Sequence, residues 1–193
     1  MEELTPDWDA VITRTGGCDI EQYIRAKWDE ALTRQLLTAP AHLCNPIDIT
    51  DSLTPEAGQD GSGRVVLPAD LLRMVRYDMK GWRRPVTKFI TSSHPDYLLQ
   101  HNRYARGGAA KPVAAIVPGD AGRLVLEYYS VPHLFRRHII RNAVYIATPH
   151  ETEGGYDLSP LLGDSVCYLC AALVYEILGE NDKAATMYNK VLF

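Results

Sequence analysis

Apolar residues recur at three-to-four spacing through Ile20, Tyr23, Ile24, Trp28, Ala31, Leu32 and Leu36, which predicts an amphipathic helix of about five turns. Asp19 is suited to cap its start, with Gln22 at the third helical position, and Ala39-Pro40 stops it. A second helical run opens at Leu158 or Pro160 and continues to Leu178, where Gly179 serves as the cap. Leu161, Leu162, Val166, Leu169, Cys170, Leu173, Val174, Ile177 and Leu178 wrap most of the way around it. A helix apolar on nearly all sides belongs at the centre of a bundle, so the first helix and a last one over 181–191 are expected to flank it. Ala184, Ala185, Tyr188, Val191 and Leu192 give the last helix its inward stripe.

Between the helices the pattern turns to strand. Short β runs are predicted at 47–50 and 64–67, followed by a Pro68-Ala69-Asp70 turn and an imperfectly alternating run over 72–82. Gly81 and Arg83-Arg84-Pro85 break the pattern before a strand at 86–91, and a β-meander is the expected outcome. His94-Pro95 opens a short helical turn that Gly107-Gly108 closes. Runs at 113–117 and 124–129 flank PGDAGR as a hairpin, and a further strand at 143–148 ends at Pro149. The Pro/Gly-rich stretch 40–63 contains GQDGSG, which follows no strand and lacks the Lys-Ser/Thr of a phosphate-binding loop; it reads as a flexible surface loop. The fold class expected is α+β: a helical bundle, made of the N-terminal helix and a C-terminal helix hairpin, with an inserted antiparallel β-sheet region. The segments are 1–45, 46–150 and 151–193, forming one compact unit.

Composition adds little until charge is placed along the chain. With 193 residues, 46% of them hydrophobic and 23% charged, the protein has enough apolar surface to bury a core. The formal net charge is −4, yet residues 64–111 hold ten Lys or Arg against three acids, a net of +7, which leaves ten basic and 21 acidic residues, or −11, for the flanks. A surface polarised in this way suits docking, because complementary faces steer partners and a head-to-tail arrangement of them generates rings or filaments. The start of the chain has neither the basic nor the apolar region of a secretory signal. The longest apolar stretch, 166–178, includes Glu176 and falls short of a bilayer span, so a soluble intracellular protein is expected.

Candidate chemistry is sparse. Cys167 and Cys170 have C-x-x-C spacing inside an apolar helix, and Cys18 and Cys44 lack a zinc-finger partner, so all four are read as buried, reduced thiols. His133 and His138 flank a basic cluster, His94 and His101 stand seven apart, and His150 precedes Glu151, without metal-ligand spacing; solvated or capping roles are expected. Neither Gly-x-Ser-x-Gly nor Ser-x-x-Lys occurs. No enzymatic activity and no cofactor are expected. A nucleic-acid-binding accessory protein is the alternative: Arg83, Arg84, Arg103, Arg106 and Lys111 interleave with Trp82, Tyr97 and Tyr104, as phosphate contacts and stacking rings do in single-strand binders. The acidic pI of about 5.8 counts against it.

The run RVVLPADLLRMVRYDMKGWRRPVTKF and the ending DLSPLLGDSVCYLCAALVYEILGENDKAATMYNKVLF resemble the head-to-tail connector (adaptor, or ring) proteins of tailed bacteriophages, including those of crAss-like phages. The resemblance rests on Leu67-Pro68-Ala69-Asp70, Gly81-Trp82, Leu173 to Tyr175, Gly179 and Ala184 to Tyr188, and it extends over roughly 19–192. It implies a virion structural protein, made in the host cytoplasm, whose copies form a ring, usually twelvefold, between portal and tail. Its implied partners are further copies of itself, the portal protein, adjacent tail or ring proteins, and packaged DNA passing through the channel, with no membrane. On that footing Arg76, Lys80, Arg83, Arg84 and Lys88 are expected to meet acids of a neighbouring subunit such as Glu21, Asp29 and Glu30 on the first helix.

Overall fold

The computed structural model describes residues 19–58, 60–132, 137–149, 151, 155–156 and 158–193. In chain order its helices and strands are α1 (Ile20–Thr38), β1 (Ile47–Asp48), β2 (Glu56–Ala57), β3 (Gly63–Val66), β4 (Leu71–Met79), β5 (Ile90–Thr91), α2 (Tyr97–Gln100), β6 (Ala114–Pro118), β7 (Leu124–Tyr128), β8 (Ile140–Ala147), α3 (Pro160–Ile177) and α4 (Asn181–Tyr188). They fall into two compact units, one from the described parts of Met1–Asn45 and Pro149–Phe193, the other from Pro46–Thr148.

In the helical unit, the Asp19 carboxylate accepts the Glu21 amide at 3.2 Å and satisfies one of the unpaired donors at the start of α1. The Ala39 amide bonds back to the Gln35 carbonyl at 2.8 Å, and Pro40, which has no amide to give, ends the helix. At the end of α3, Gly179 takes a φ of +76°, a conformation any Cβ would strain. α1 and α4 both pack on α3. The buried residues of α1 are Ala31, Leu32, Gln35 and Leu36; those of α3 include Leu162, Ser165, Val166, Leu169 and Leu173. Two are polar, and they satisfy one another. The Ser165 hydroxyl donates to the Gln35 amide oxygen (2.8 Å) and accepts the Leu192 N–H (3.0 Å), while the Gln35 amide nitrogen donates to the Phe193 carbonyl (3.1 Å). This relay ties residues 192–193 to both long helices. Removing a buried group that serves two partners, one of them the buried Gln35, costs more than one surface hydrogen bond, so Ser165→Ala should lower stability by about 1–2 kcal/mol, read from chemical denaturation.

The helical bundle with an inserted antiparallel sheet is not what the chain forms. α3 is not buried all round: Leu161, Cys167, Tyr168 and Ile177 face solvent. The last helix stops at Tyr188, and Leu192, expected on its inward stripe, is exposed. By length and apolar composition α3 could also cross a membrane, a longer run than 166–178, though the core helix of a soluble protein passes the same test.

The β unit is the larger of the two and encloses a core of its own. It contains a three-stranded sheet, order β1-β8-β4, and a five-stranded sheet, order β2-β3-β7-β6-β5. The expected meander fails because β3 pairs with β7 and β4 pairs with β8, so the successive strands β3 and β4 join different sheets. Nor is the β region wholly antiparallel. β5 and β6 run parallel, and the 92–113 connection that carries α2 supplies the long crossover such a pair requires. Met74, Tyr77, Met79, Ala143 and Tyr145 from one sheet share a single apolar cluster with Val65, Ala114, Leu126 and Tyr128 from the other. Alternation along β6 sends Ala114 into this core and Ala115 to the opposite face, where Val117, Tyr129 and Tyr97 form a smaller cluster. Among the described residues one charge is buried. Asp78 on β4 receives two hydrogen bonds from Arg141 on β8, at 2.7 and 2.9 Å, and the same guanidinium donates to the Trp82 carbonyl at 3.3 Å.

Candidate functional site

The charge polarity of the sequence follows the boundary between the units. Residues 46–148 hold 14 Lys or Arg against 9 Asp or Glu, a net of +5, while 1–45 and 149–193 together hold 6 against 15, a net of −9. Coulomb interactions between such bodies act over the Debye length, about 10 Å at 0.1 M salt.

The basic residues singled out from the sequence lie on β4 and on the segment that follows it. Arg76, Lys80, Arg83, Arg84 and Lys88 are all exposed, and Arg76, Arg83, Arg84 and Lys88 make no ion pair among the described residues. The backbone beneath them is pinned. The Trp82 amide donates to the Met79 carbonyl (3.0 Å) and the Arg83 amide to the Ala109 carbonyl (2.9 Å), while Tyr77 and Val86 exchange two hydrogen bonds (2.9 and 2.8 Å). Free guanidinium groups on a fixed turn lose little backbone entropy when a partner binds. Trp82 corrects an expectation. Its ring is buried, edge-on to Tyr77 with centroids 6.0 Å apart, so it cannot stack on a base.

The remaining nucleic-acid candidates separate. Tyr104 is 96% exposed, and Arg103 and Lys111 also face solvent. Arg106 does not: it is held by Asp60 through a 2.7 Å carboxylate contact and a second bond to the Asp60 carbonyl. That pair also corrects the reading of GQDGSG as a flexible loop. Asp60 accepts the Ser62 hydroxyl at 2.6 Å and its amide at 3.3 Å, the Gly58 amide donates to the Ser62 carbonyl, and the carbonyl of Gly61, at φ +81°, accepts the Val131 amide. A Cβ on Gly61 would meet the Val131 carbonyl oxygen at 2.4 Å, so only glycine fits. An Asp two residues before a Ser was the available signal, since it is the composition of a side-chain-closed turn. The Ser62 hydrogen bond, followed by Arg106, holds the Asp60 carboxyl down at about 2. Because the folded value lies below the unfolded one, this stabilisation is present above about pH 4 and is lost as pH falls toward 2. Cleavage of the 58–62 turn by an acid-active protease should therefore rise over that interval in the wild type, and with a protease active at neutral pH Asp60→Asn should be cut faster than the wild type.

Several polar contacts had no sequence signal. Glu127 accepts hydroxyls from Tyr97 (2.9 Å) and Tyr129 (2.7 Å), and His101 packs edge-on to both rings; burial and the Glu127 contact push the Tyr129 hydroxyl well above its ordinary range. This cluster fastens α2 to the five-stranded sheet. His94 accepts the Asp96 amide at 3.1 Å in a local turn, and His138 bonds the Tyr128 hydroxyl at 2.7 Å, with burial lowering its basicity. His133, His150 and Cys18 lie outside the described residues. Cys44 and Cys170 are buried, but Cys167 is exposed, contrary to the expectation for all four cysteines. Among the described residues no group of three or more His, Cys, Asp or Glu is placed to hold a metal ion.

The three acids expected to meet neighbouring cations differ from one another. Glu30 is already engaged by Lys27 (2.6 Å) and Arg34 (2.5 Å), with the Lys27 hydrogen bond chiefly responsible for lowering its pKa. Glu21 contacts Arg25 at 3.8 Å. Asp29 accepts, among the described residues, only the Tyr156 hydroxyl, at 3.2 Å, and lines a cleft together with Trp28 and Glu151. Searches against protein-family models and against curated proteins find no match.

Proposed function

We propose that this chain is a structural protein of the virion, whose copies form a ring in the head-to-tail connector of a tailed phage, between portal and tail. The observation that carries the reading is the division of charge: a basic β unit with unpaired arginines on a pinned turn, and an acidic helical unit. A ring closed by rotation joins unlike faces of successive subunits, and opposite-sign units supply such a pair. The resemblance of 64–89 and of the C-terminal helices to connector proteins supports it, and the reading requires neither catalysis nor a cofactor. Portal and tail proteins above and below, and DNA in the channel, are the partners it implies.

Assembly held by solvent-exposed charge weakens with salt. Single-particle mass measurement should show oligomers at about 0.05 M salt that dissociate at about 0.5 M. Arg83→Glu with Arg84→Glu should reduce assembly at least tenfold, with the far-ultraviolet circular dichroism unchanged. Loss of the fold in that variant, or a wild type that stays monomeric at every salt and concentration, would count against it. The exposed Tyr104, with Arg103 next to it and the exposed Lys111 seven residues on, favours one other reading, a single-strand nucleic-acid binder. Retention of short DNA with a steep salt slope, abolished by Tyr104→Ala, would select that reading instead.

A further inference from the structure

The cleft over the first half of α1 has a chemistry that its surroundings do not use. It encloses about 510 Å³ and is lined by Ile24, Arg25, Trp28, Asp29, Glu151 and Tyr156. Trp28 and Tyr156 form a two-ring wall, with centroids 6.0 Å apart and planes tilted by 38°. The Tyr156 hydroxyl donates to one oxygen of Asp29, and the other has no hydrogen-bond partner among the described residues. Glu151 adds a second exposed carboxylate, and the one cation among the described lining residues, Arg25, contacts Glu21 at 3.8 Å. Ile24, 42% exposed, offers an apolar flank. Aromatic faces, free carboxylate oxygens and an aliphatic side together fit a planar cation carried on a hydrocarbon stem, which describes arginine better than lysine.

We propose that this cleft is a receptor for an arginine side chain, filled by the Arg83-Arg84 turn of a second copy of the chain. The inference rests on the assembly reading above and names the contact that would carry it. Charge complementarity selects the occupant: the cleft belongs to the unit of net charge −9, and the turn presents two adjacent guanidinium groups, free of ion pairs among the described residues, from the unit of net charge +5. The guanidinium lies against the Trp28 ring and donates to Asp29 and Glu151, while its methylenes cover Ile24.

The test mixes two full-length variants, each lacking one half of the contact. Asp29→Lys with Glu151→Lys removes the receptor, and Arg83→Glu with Arg84→Glu removes the ligand. Sedimentation should find each alone monomeric and an equimolar mixture forming a dimer that grows no further, because one intact face remains on each. A peptide of residues 80–88 supplies a second readout. It should bind the wild-type chain, at least tenfold more weakly after Trp28→Ala, and more weakly when both of its arginines are lysine; Trp28→Phe, which keeps a ring, should retain part of the affinity should the alanine variant unfold. Peptide binding without self-association would leave the receptor standing and remove the ring. Self-association unchanged by the Asp29, Glu151 and Trp28 substitutions would overturn the receptor and leave the ring reading intact. Neither peptide binding nor association would end both.

Discussion

Replacing Tyr77 by alanine is expected to destabilise the β unit by about 3–5 kcal/mol, the range for deleting a large aromatic side chain from a packed core. Tyr77 has no solvent exposure and lies where the two sheets meet, 6.0 Å from Trp82 and 6.1 Å from Tyr128 between ring centroids. Its backbone also closes the bridge to Val86. The surrounding side chains belong to two sheets and cannot collapse far without breaking ladder hydrogen bonds, so the cavity would persist. The hydroxyl tells a different story. It is buried, has no hydrogen-bond partner among the described residues, and burial drives its ionisation far above the ordinary range. A buried hydroxyl without a partner contributes a desolvation cost and no bond, so Tyr77→Phe should be neutral or stabilising by up to about 1 kcal/mol. Near-ultraviolet circular dichroism during urea unfolding separates the two outcomes. A Phe variant as damaged as the Ala variant would show that the hydroxyl is satisfied.

Arg141→Ala should cost about 2–3 kcal/mol, and more than Asp78→Ala. The Asp78 side chain is 4% exposed and that of Arg141 is 52% exposed, so the two ends of the pair stand in different solvents. Removing the arginine strands a carboxylate in the core, a loss that for a fully buried pair runs to about 3–5 kcal/mol and is smaller here because one partner is wet. Removing the aspartate frees a guanidinium that water can solvate. Hydrogen bonding to Asp78 raises the Arg141 pKa further, so the guanidinium stays charged. Denaturant midpoints for both single variants and the double variant measure the asymmetry. Equal losses for the two single variants would contradict it.

The parts of this molecule legible in its sequence are those that local rules decide. Asp19, Pro40, Pro160 and Gly179 mark helix ends because caps act over one turn, and PGDAGR lies between β6 and β7 because a hairpin is set by its own turn. The fold class was not legible, for pairings decide it. Nothing between residues 66 and 71 says that β3 will pair with β7 and β4 with β8, and a two-residue β5 running parallel to β6 leaves no period to read. The apolar wrap of α3 suggested a central helix, yet hydrophobicity alone does not say which face is covered. The same limit applies to the candidate site. A basic segment was visible as a count, but not that Arg106 is spent on Asp60, that Trp82 is interior, or that Glu30 is neutralised within its own helix. Trp28 read as one more position on an apolar face; its partner Tyr156 lies 128 residues away.

The outermost strands of the five-stranded sheet, β2 and β5, are two residues long, and so is β1. The remaining border, nine-residue β4, is broken by three register shifts and occupied at Tyr77 by Val86. Borders so short and so interrupted give an incoming chain no ladder to extend. Association of the kind proposed above would then rest on side-chain contacts, which ionic strength can undo, and would be reversible without passing through an amyloid-like state.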